Sequence, residues 1–337
     1  MAERPQNSTP SENLPLRKRL ERSVGNLLIP CVILPLRYSP WGLARLFGKG
    51  LGTLLYHTLK RYRKVAHKNL TLIYSSEKSP HEIAQMAKAV YQHFGQLATE
   101  FIKLPTLDRS AVDKIVTVEG EENLKQALAE GRGVLIMTGH FGNWEMLARW
   151  FTTHGYTLNV VARDARVKNA SKMLEETRRG SGANVLLRGN SARGVLQHLK
   201  MNELIGILPD QNAIDVFVPF FGFSTGTVDG PAIFHLKTQA PLVFSWCVRT
   251  PDNRYHITFE PPVVHLPSGD KPKDVETIMT LVNAHLEAQI RKHPTQWLWL
   301  HDRWKASPGV FPEGEANMLE LKSARIKTKE TTQESRK

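Results

Sequence analysis

His140 and Glu145 stand five residues apart, with Gly139 and Gly142 around the histidine and Asn143 between the two. An imidazole is well suited to take and return a proton near neutral pH. A carboxylate on one of its ring nitrogens fixes the tautomer and supports the imidazolium. The spacing constrains how the two could meet. On one continuous helix, residues five apart lie about 140° round the axis, so cooperation requires His140 in a turn and Glu145 in the first turn of a following helix. The flanking residues have that form. Val134–Met137 is an apolar run bounded by Gly133 and by Thr138-Gly139, the pattern of a short buried strand, and the run from Trp144 to Phe151 is helix-like. The pair thus lies where a buried strand hands over to a helix, which is where open α/β sheets place their ligand crevices. General-base activation of a hydroxyl is the chemistry this permits; the plainer alternative is a polar histidine at a sheet edge.

Two other chemistries are weaker. Gly222-Phe223-Ser224-Thr225-Gly226 matches the G-x-S-x-G nucleophile elbow of serine esterases. Aspartates and histidines follow it (Asp229, Asp252, Asp270 and Asp274, then His285, His293 and His301), so the chain order Ser…Asp…His is available. That elbow needs a helix immediately after the serine, whereas Gly226, Asp229, Gly230 and Pro231 delay one. A metal is not implied, because His140 and Glu145 lack the i, i+4 spacing of a helical zinc pair and no third ligand is indicated. No cofactor motif stands out, and Gly48-Lys49-Gly50-Leu51-Gly52 has neither a preceding strand nor the full spacing of a phosphate loop.

The elements that must position these residues alternate along 337 residues, of which 41% are hydrophobic, enough for a substantial core. Residues 81–104 carry an amphipathic helical stripe ended by Pro105. Val116–Gly120 reads as a strand, Glu121–Glu130 as a helix, then the motif strand; strand–helix–strand predicts a parallel sheet. Further strands are predicted at Leu158–Ala162, Ala183–Leu187, Leu204–Leu208, Pro241–Arg249 and Tyr255–Glu260. Helices are predicted at Ala170–Arg179, Ser191–Met201 and Val275–Lys292. The fold class is α/β, a mostly parallel sheet flanked by helices. Arg163 follows one strand and Asp210 another, both at carboxyl ends and so near the rim that holds His140. Arg163 is a candidate to hold a phosphate or a developing oxyanion, or a surface residue. Cys31 and Cys247 read as buried thiols in a reducing compartment.

Charge is uneven. Residues 1–70 hold 13 Lys/Arg against 3 acids, which accounts for ten of the thirteen net positive charges. A basic segment joined to apolar sequence points to an anionic membrane surface, or to a solvated basic tail. No zinc-finger spacing or RNA-binding signature implies nucleic acid. The apolar run Leu27–Leu36 contains two prolines and is well short of the roughly 20 residues that span a bilayer. With Trp41, Leu43, Leu46, Phe47, Leu51 and Leu54 and the basic block Lys60–Lys64, it makes residues 24–64 a membrane anchor, inserted shallowly or spanning once, or else a core hairpin. The predicted organisation is a disordered basic tail at 1–23, the anchor at 24–64, a catalytic domain at 65–310 and a flexible tail at 311–337.

Gly139-His-Phe-Gly-Asn-Trp-Glu145 resembles the H-x4-D/E signature of glycerolipid acyltransferases, and most of all the HFGNWE form common in bacterial lipid A lauroyl/myristoyl acyltransferases. The resemblance runs from about residue 25 to residue 308. Val65–Leu70 is similar to the continuation of that family's membrane helix. Asp210-Gln211 is similar to its DQ element, Val218-Pro-Phe-Phe-Gly222 with Thr227 to its PFFG…T element, and Gln296–Lys305 to its closing QWLW-H-x-RWK element. Arg163 and Asn169 match an Arg and an Asn-Pro pair, with Ala170 in place of the proline. The resemblance implies a catalytic His140 oriented by Glu145, with Asn143, Arg163 and Asp210 at the substrate, Asp210 positioning it or the surrounding loops. Phe220 and Phe221 would line the acyl pocket, or else belong to the core. It further implies transfer from acyl carrier protein, or coenzyme A, to a glycolipid at the cytoplasmic face of the inner membrane, without a metal or other cofactor. The implied acceptor is a lipid A precursor, although phosphatidylinositol mannosides are acylated by similar sequences.

Overall fold

The apolar run that precedes His140 is strand β2 (Val134–Met137), the middle member of a seven-stranded sheet. The computed structural model describes residues 33–162, 175–187 and 191–323. Around β2 the order is β1 (Val116–Glu119), β9 (Tyr255–Phe259), β8 (Leu242–Arg249), β2, β5 (Leu204–Ile207), β3 (Leu158–Ala162) and β4 (Asn184–Leu187). All neighbours are parallel except β8 and β9. Those two are joined by a turn of only five residues, with Asn253 at φ 62°, and so short a link returns a chain antiparallel.

β2 shows why its sequence is apolar throughout. Leu135 and Met137 enter one core, and Val134 and Ile136 enter the other on the opposite face. A parallel strand covered on both faces has no polar side to alternate with. The second core lies under the helix Trp144–Thr153, whose Met146, Leu147, Trp150 and Phe151 face the sheet.

The described part of the predicted anchor is built into this body. Helix Trp41–Thr58 lies along helix Pro80–Lys103, which starts at a Ser79/Glu82 capping box. Ala44, Gly48 and Gly52, spaced by four, form the contact face. A Cβ on Gly52 would sit 2.2 Å from the Tyr91 carbonyl oxygen, so only glycine allows this approach. The opposite face leaves Leu43, Leu46, Phe47 and Leu54 exposed. Among the described residues no helix is long and apolar enough to cross a membrane. The basic tail predicted at 1–23 lies outside the described residues. Where a flexible tail was expected from 311, residues 314–323 are helical, and Lys68 pairs with Glu313 at 2.8 Å just before them.

Candidate active site

The turn after β2 is pinned from two sides. Gly142 has φ 58° and its N–H donates to the Gln296 carbonyl at 2.8 Å; a Cβ there would lie 2.0 Å from the Cys247 carbonyl oxygen on β8. Asn143 N–H donates to that same oxygen at 2.7 Å, and Leu298 N–H donates to the His140 carbonyl at 3.1 Å. Below the turn, fully buried Glu100 is gripped by both terminal nitrogens (Nη1 and Nη2) of Arg249 and by Arg45 at 2.9 Å, and accepts from Asn143 Nδ2 at 3.1 Å. His93, pushed by burial and by nearby Arg249 down to about 4, is neutral near pH 7 and lies 3.0 Å from the Gly142 carbonyl. Buried charges are tolerated only when paired in this way.

This scaffold directs the His140 ring toward the loop after β5. Asp210 Oδ1 is 2.8 Å from His140 Nδ1, while Asp210 Oδ2 accepts from the His140 backbone N–H at 2.8 Å and from Trp297 Nε1 at 2.9 Å. Asp210 is 3% exposed. Burial by itself would raise its pKa, but the His140 imidazole and these hydrogen bonds hold it well below the usual carboxylate range. An ionised carboxylate only accepts, so Nδ1 carries the proton and Nε2 is the basic nitrogen. Trp144 packs edge-on against the ring at 5.2 Å.

Glu145 does not fill the role the five-residue spacing suggested. Its carboxylate takes Nε and Nη2 of Arg178 at 3.1 and 2.5 Å, and Trp144 Nε1 at 3.0 Å. Asp210, predicted to position substrate or loops, is the histidine's partner instead. The reason is local: the helix begins at Trp144, one residue after its cap, and Arg178 offers the nearly buried Glu145 a full countercharge. Burial would lower the Arg178 pKa, but the neighbouring Glu145 carboxyl group raises it overall.

The other predicted site residues separate. Asn143 is buried and acts as the helix cap, its Oδ1 accepting from Met146 N–H at 2.9 Å, so it is a structural residue where a substrate contact was expected. Phe220 and Phe221 sit in an aromatic core and do not line the cavity beside His140. Phe220 stacks on Trp304 and meets Trp297, and Phe221 packs against Trp299 and Trp304. Arg303 ties this core to Thr227 Oγ1 at 2.7 Å, joining the PFFG…T and RWK elements. Ser224 lies exposed in the hairpin of β6 (Val216–Phe220) and β7 (Phe223–Thr227), paired with Pro219, so there is no strand–turn–helix elbow. Arg163 and Asn169 lie outside the described residues. Arg178 and Trp297 were missed as site residues; Trp297 stood inside a recognised element without a role, and Arg178 had no signal beyond its type.

A cavity of about 540 Å³ opens beside His140, a size usual for small-ligand sites. Thr138, Glu145, Arg178, Gln211, Asp215 and Asp229 line it with His140, and Leu147, Ala148, Phe151, Leu158 and Val160 line it from the helix Trp144–Thr153 and the sheet. Among the described residues no group of three or more His, Cys, Asp or Glu side chains is placed to hold a metal ion. A basic imidazole over an apolar slot fits a reaction between a polar nucleophile and a substrate with a long hydrocarbon part.

Comparison with known proteins agrees with this chemistry. The family model described as bacterial lipid A biosynthesis acyltransferase matches residues 18–306. The lipid A biosynthesis palmitoleoyltransferase of Escherichia coli K12 is 26% identical over 277 residues, covering 80% of this chain and 87% of the relative. The lipid A biosynthesis lauroyltransferase of the same organism is 27% identical over 278 residues, covering 81% and 89%. A phosphatidylinositol mannoside acyltransferase of Mycobacterium tuberculosis is 24% identical over 226 residues, covering 65% and 70%.

Proposed function

The chain belongs to the bacterial lipid A biosynthesis acyltransferase family, and on that premise we propose that it moves a fatty acyl chain from an acyl-carrier thioester to a hydroxyl of a lipid A precursor. The observation that carries this reading is the Asp210–His140 pair beside a cavity walled in large part by apolar side chains. His140 Nε2 takes the proton of the acceptor hydroxyl as the oxygen attacks the thioester carbonyl. The tetrahedral adduct then expels the thiolate, so a C–O bond forms and the C–S bond breaks. The imidazolium, stabilised by Asp210, returns the proton to the sulfur. Transfer is direct, with no acyl-enzyme and no metal. Arg163 stays a candidate for the oxyanion or an acceptor phosphate on its residue type and place in the sequence. Acyl carrier protein is the donor we favour over coenzyme A, on the resemblance to lipid A acyltransferases.

Mass spectrometry of lipids from cells with and without the protein tests the acceptor. One extra acyl chain on a lipid A precursor is expected only when the protein is present. A change confined to another glycolipid, such as a phosphatidylinositol mannoside, would replace the acceptor, and no change in any glycolipid would overturn the reading.

We further place the protein on the cytoplasmic face of the inner membrane through the exposed side of helix Trp41–Thr58. Leu43, Leu46 and Leu54 are 60%, 68% and 58% exposed there, near the basic block Lys60–Lys64. Apolar side chains entering the headgroup boundary beside basic ones give reversible, salt-sensitive binding. Because each fully buried leucine contributes roughly 1.5–3 kcal/mol, changing these three to serine should weaken binding to anionic vesicles by about tenfold or more. Such surface changes are a better test than deletion, since the helix's other face packs in the body of the protein. Unchanged vesicle binding would remove this face from the membrane.

A further inference from the structure

Ile136, Gly206 and Val160 lie abreast on three neighbouring strands, β2, β5 and β3, and all three line the cavity. The outer two raise side chains from the sheet; the middle one leaves a notch. Two residues earlier on the same face of β5, Leu204 is 1% exposed and fills its place in the core, so the notch closes there. Facing the sheet, the helix Trp144–Thr153 presents Ala148 to the cavity, between Glu145 and Phe151 on the same lining face.

The backbone does not demand a glycine at 206. Its φ is not positive, and a Cβ there would meet Val160 Cγ1 at 3.4 Å and Leu158 Cδ1 at 3.6 Å, ordinary contact distances. Gly52 and Gly142, by contrast, would clash with main-chain carbonyls. What a side chain at 206 would take is space, since its nearest neighbours are two other residues of the cavity wall.

We infer that Gly206 sets the length of acyl chain the protein accepts, the last methylenes lying in the notch between Ile136 and Val160 and beneath Ala148. This rests on the acyltransferase reading above, and moves chain-length selection from Phe220 and Phe221 to the sheet beneath the motif helix. Burial of each methylene in an apolar slot corresponds to about a fourfold gain, and a filled slot rejects a chain that no longer fits.

The test is competition among saturated acyl-carrier-protein and coenzyme A thioesters of graded length, with a lipid A precursor as acceptor and the product profile read by mass spectrometry. Gly206→Ala should lower kcat/KM for the longest accepted donor by about fourfold or more, and Gly206→Val should move the whole profile to shorter chains. Val160→Ala, which widens the notch, should move it to longer ones. If Gly206→Val does not fold, the Val160→Ala and Gly206→Ala profiles decide. Profiles unchanged in the folded variants, with the wild-type protein active, would overturn the role of Gly206. A wild-type protein that transfers no chain from any donor would instead overturn the acyltransferase reading.

Discussion

Asp210→Asn should lower acyl transfer by about 10²–10⁴-fold while leaving the protein folded. Two donors converge on Asp210 Oδ2, the His140 backbone N–H and Trp297 Nε1–H, and only an oxygen can receive them. An asparagine must therefore place its amide oxygen there and turn its NH₂ toward His140 Nδ1. That NH₂ is a donor, so Nδ1 becomes the acceptor and the ring proton moves to Nε2, the atom that must take the substrate's proton. The negative charge that supports the imidazolium is lost as well. Near-isosteric replacement keeps the remaining hydrogen bonds, so the urea midpoint should move little while the transfer rate collapses. A rate close to wild type would show that the histidine's tautomer is not set by Asp210.

This carboxylate should contribute to the acid limb of the protein's stability. A carboxyl held below its ordinary range contributes stability that is present above its unfolded pKa and lost progressively as pH falls from there through the folded one. For Asp210 the folded value lies below the usual carboxylate range, so the loss starts near the ordinary carboxylate pKa while Asp210 itself stays ionised in the folded protein through mildly acidic pH.

Much of this frame was legible in the residues themselves. A four-residue apolar run between glycines can only be a short buried strand or a fragment of buried helix, and the helix pattern from Trp144 settles which. The parallel sheet followed from alternation; the antiparallel β8–β9 pair was not read, although the short link between the two strands carried the signal. The partner of His140 was not legible. Five residues of separation bring Glu145 into the right region, but which carboxylate reaches the ring depends on how the turn is pinned against β8 and residues 296–298. Asp210 arrives from 70 residues away because β5 is β2's neighbour, a fact of sheet order and not of spacing. Aromatic residues are equally ambiguous: Phe220 and Phe221 would look the same in sequence whether they faced a lipid chain or three tryptophans. The segment 41–58 read as apolar and basic, yet Ala44, Gly48 and Gly52 at intervals of four already marked a face for close helix packing. Gly206 carried no signal at all until its neighbours across the sheet were known.

The most direct test of the whole account is the rate of acyl transfer by His140→Ala, followed by mass spectrometry of protein and lipid in one time course. Loss of a general base typically costs about 10²–10⁴-fold in rate, or roughly 3–5 kcal/mol of barrier. Combining it with Asp210→Asn should add little, because the two side chains act as one unit. On this mechanism the wild-type protein places the acyl chain on the lipid without an acylated protein species, and His140→Ala, still folded, places almost none. A His140→Ala protein that acylates the lipid at the wild-type rate, or an acyl-protein intermediate that accumulates with donor alone, would contradict it.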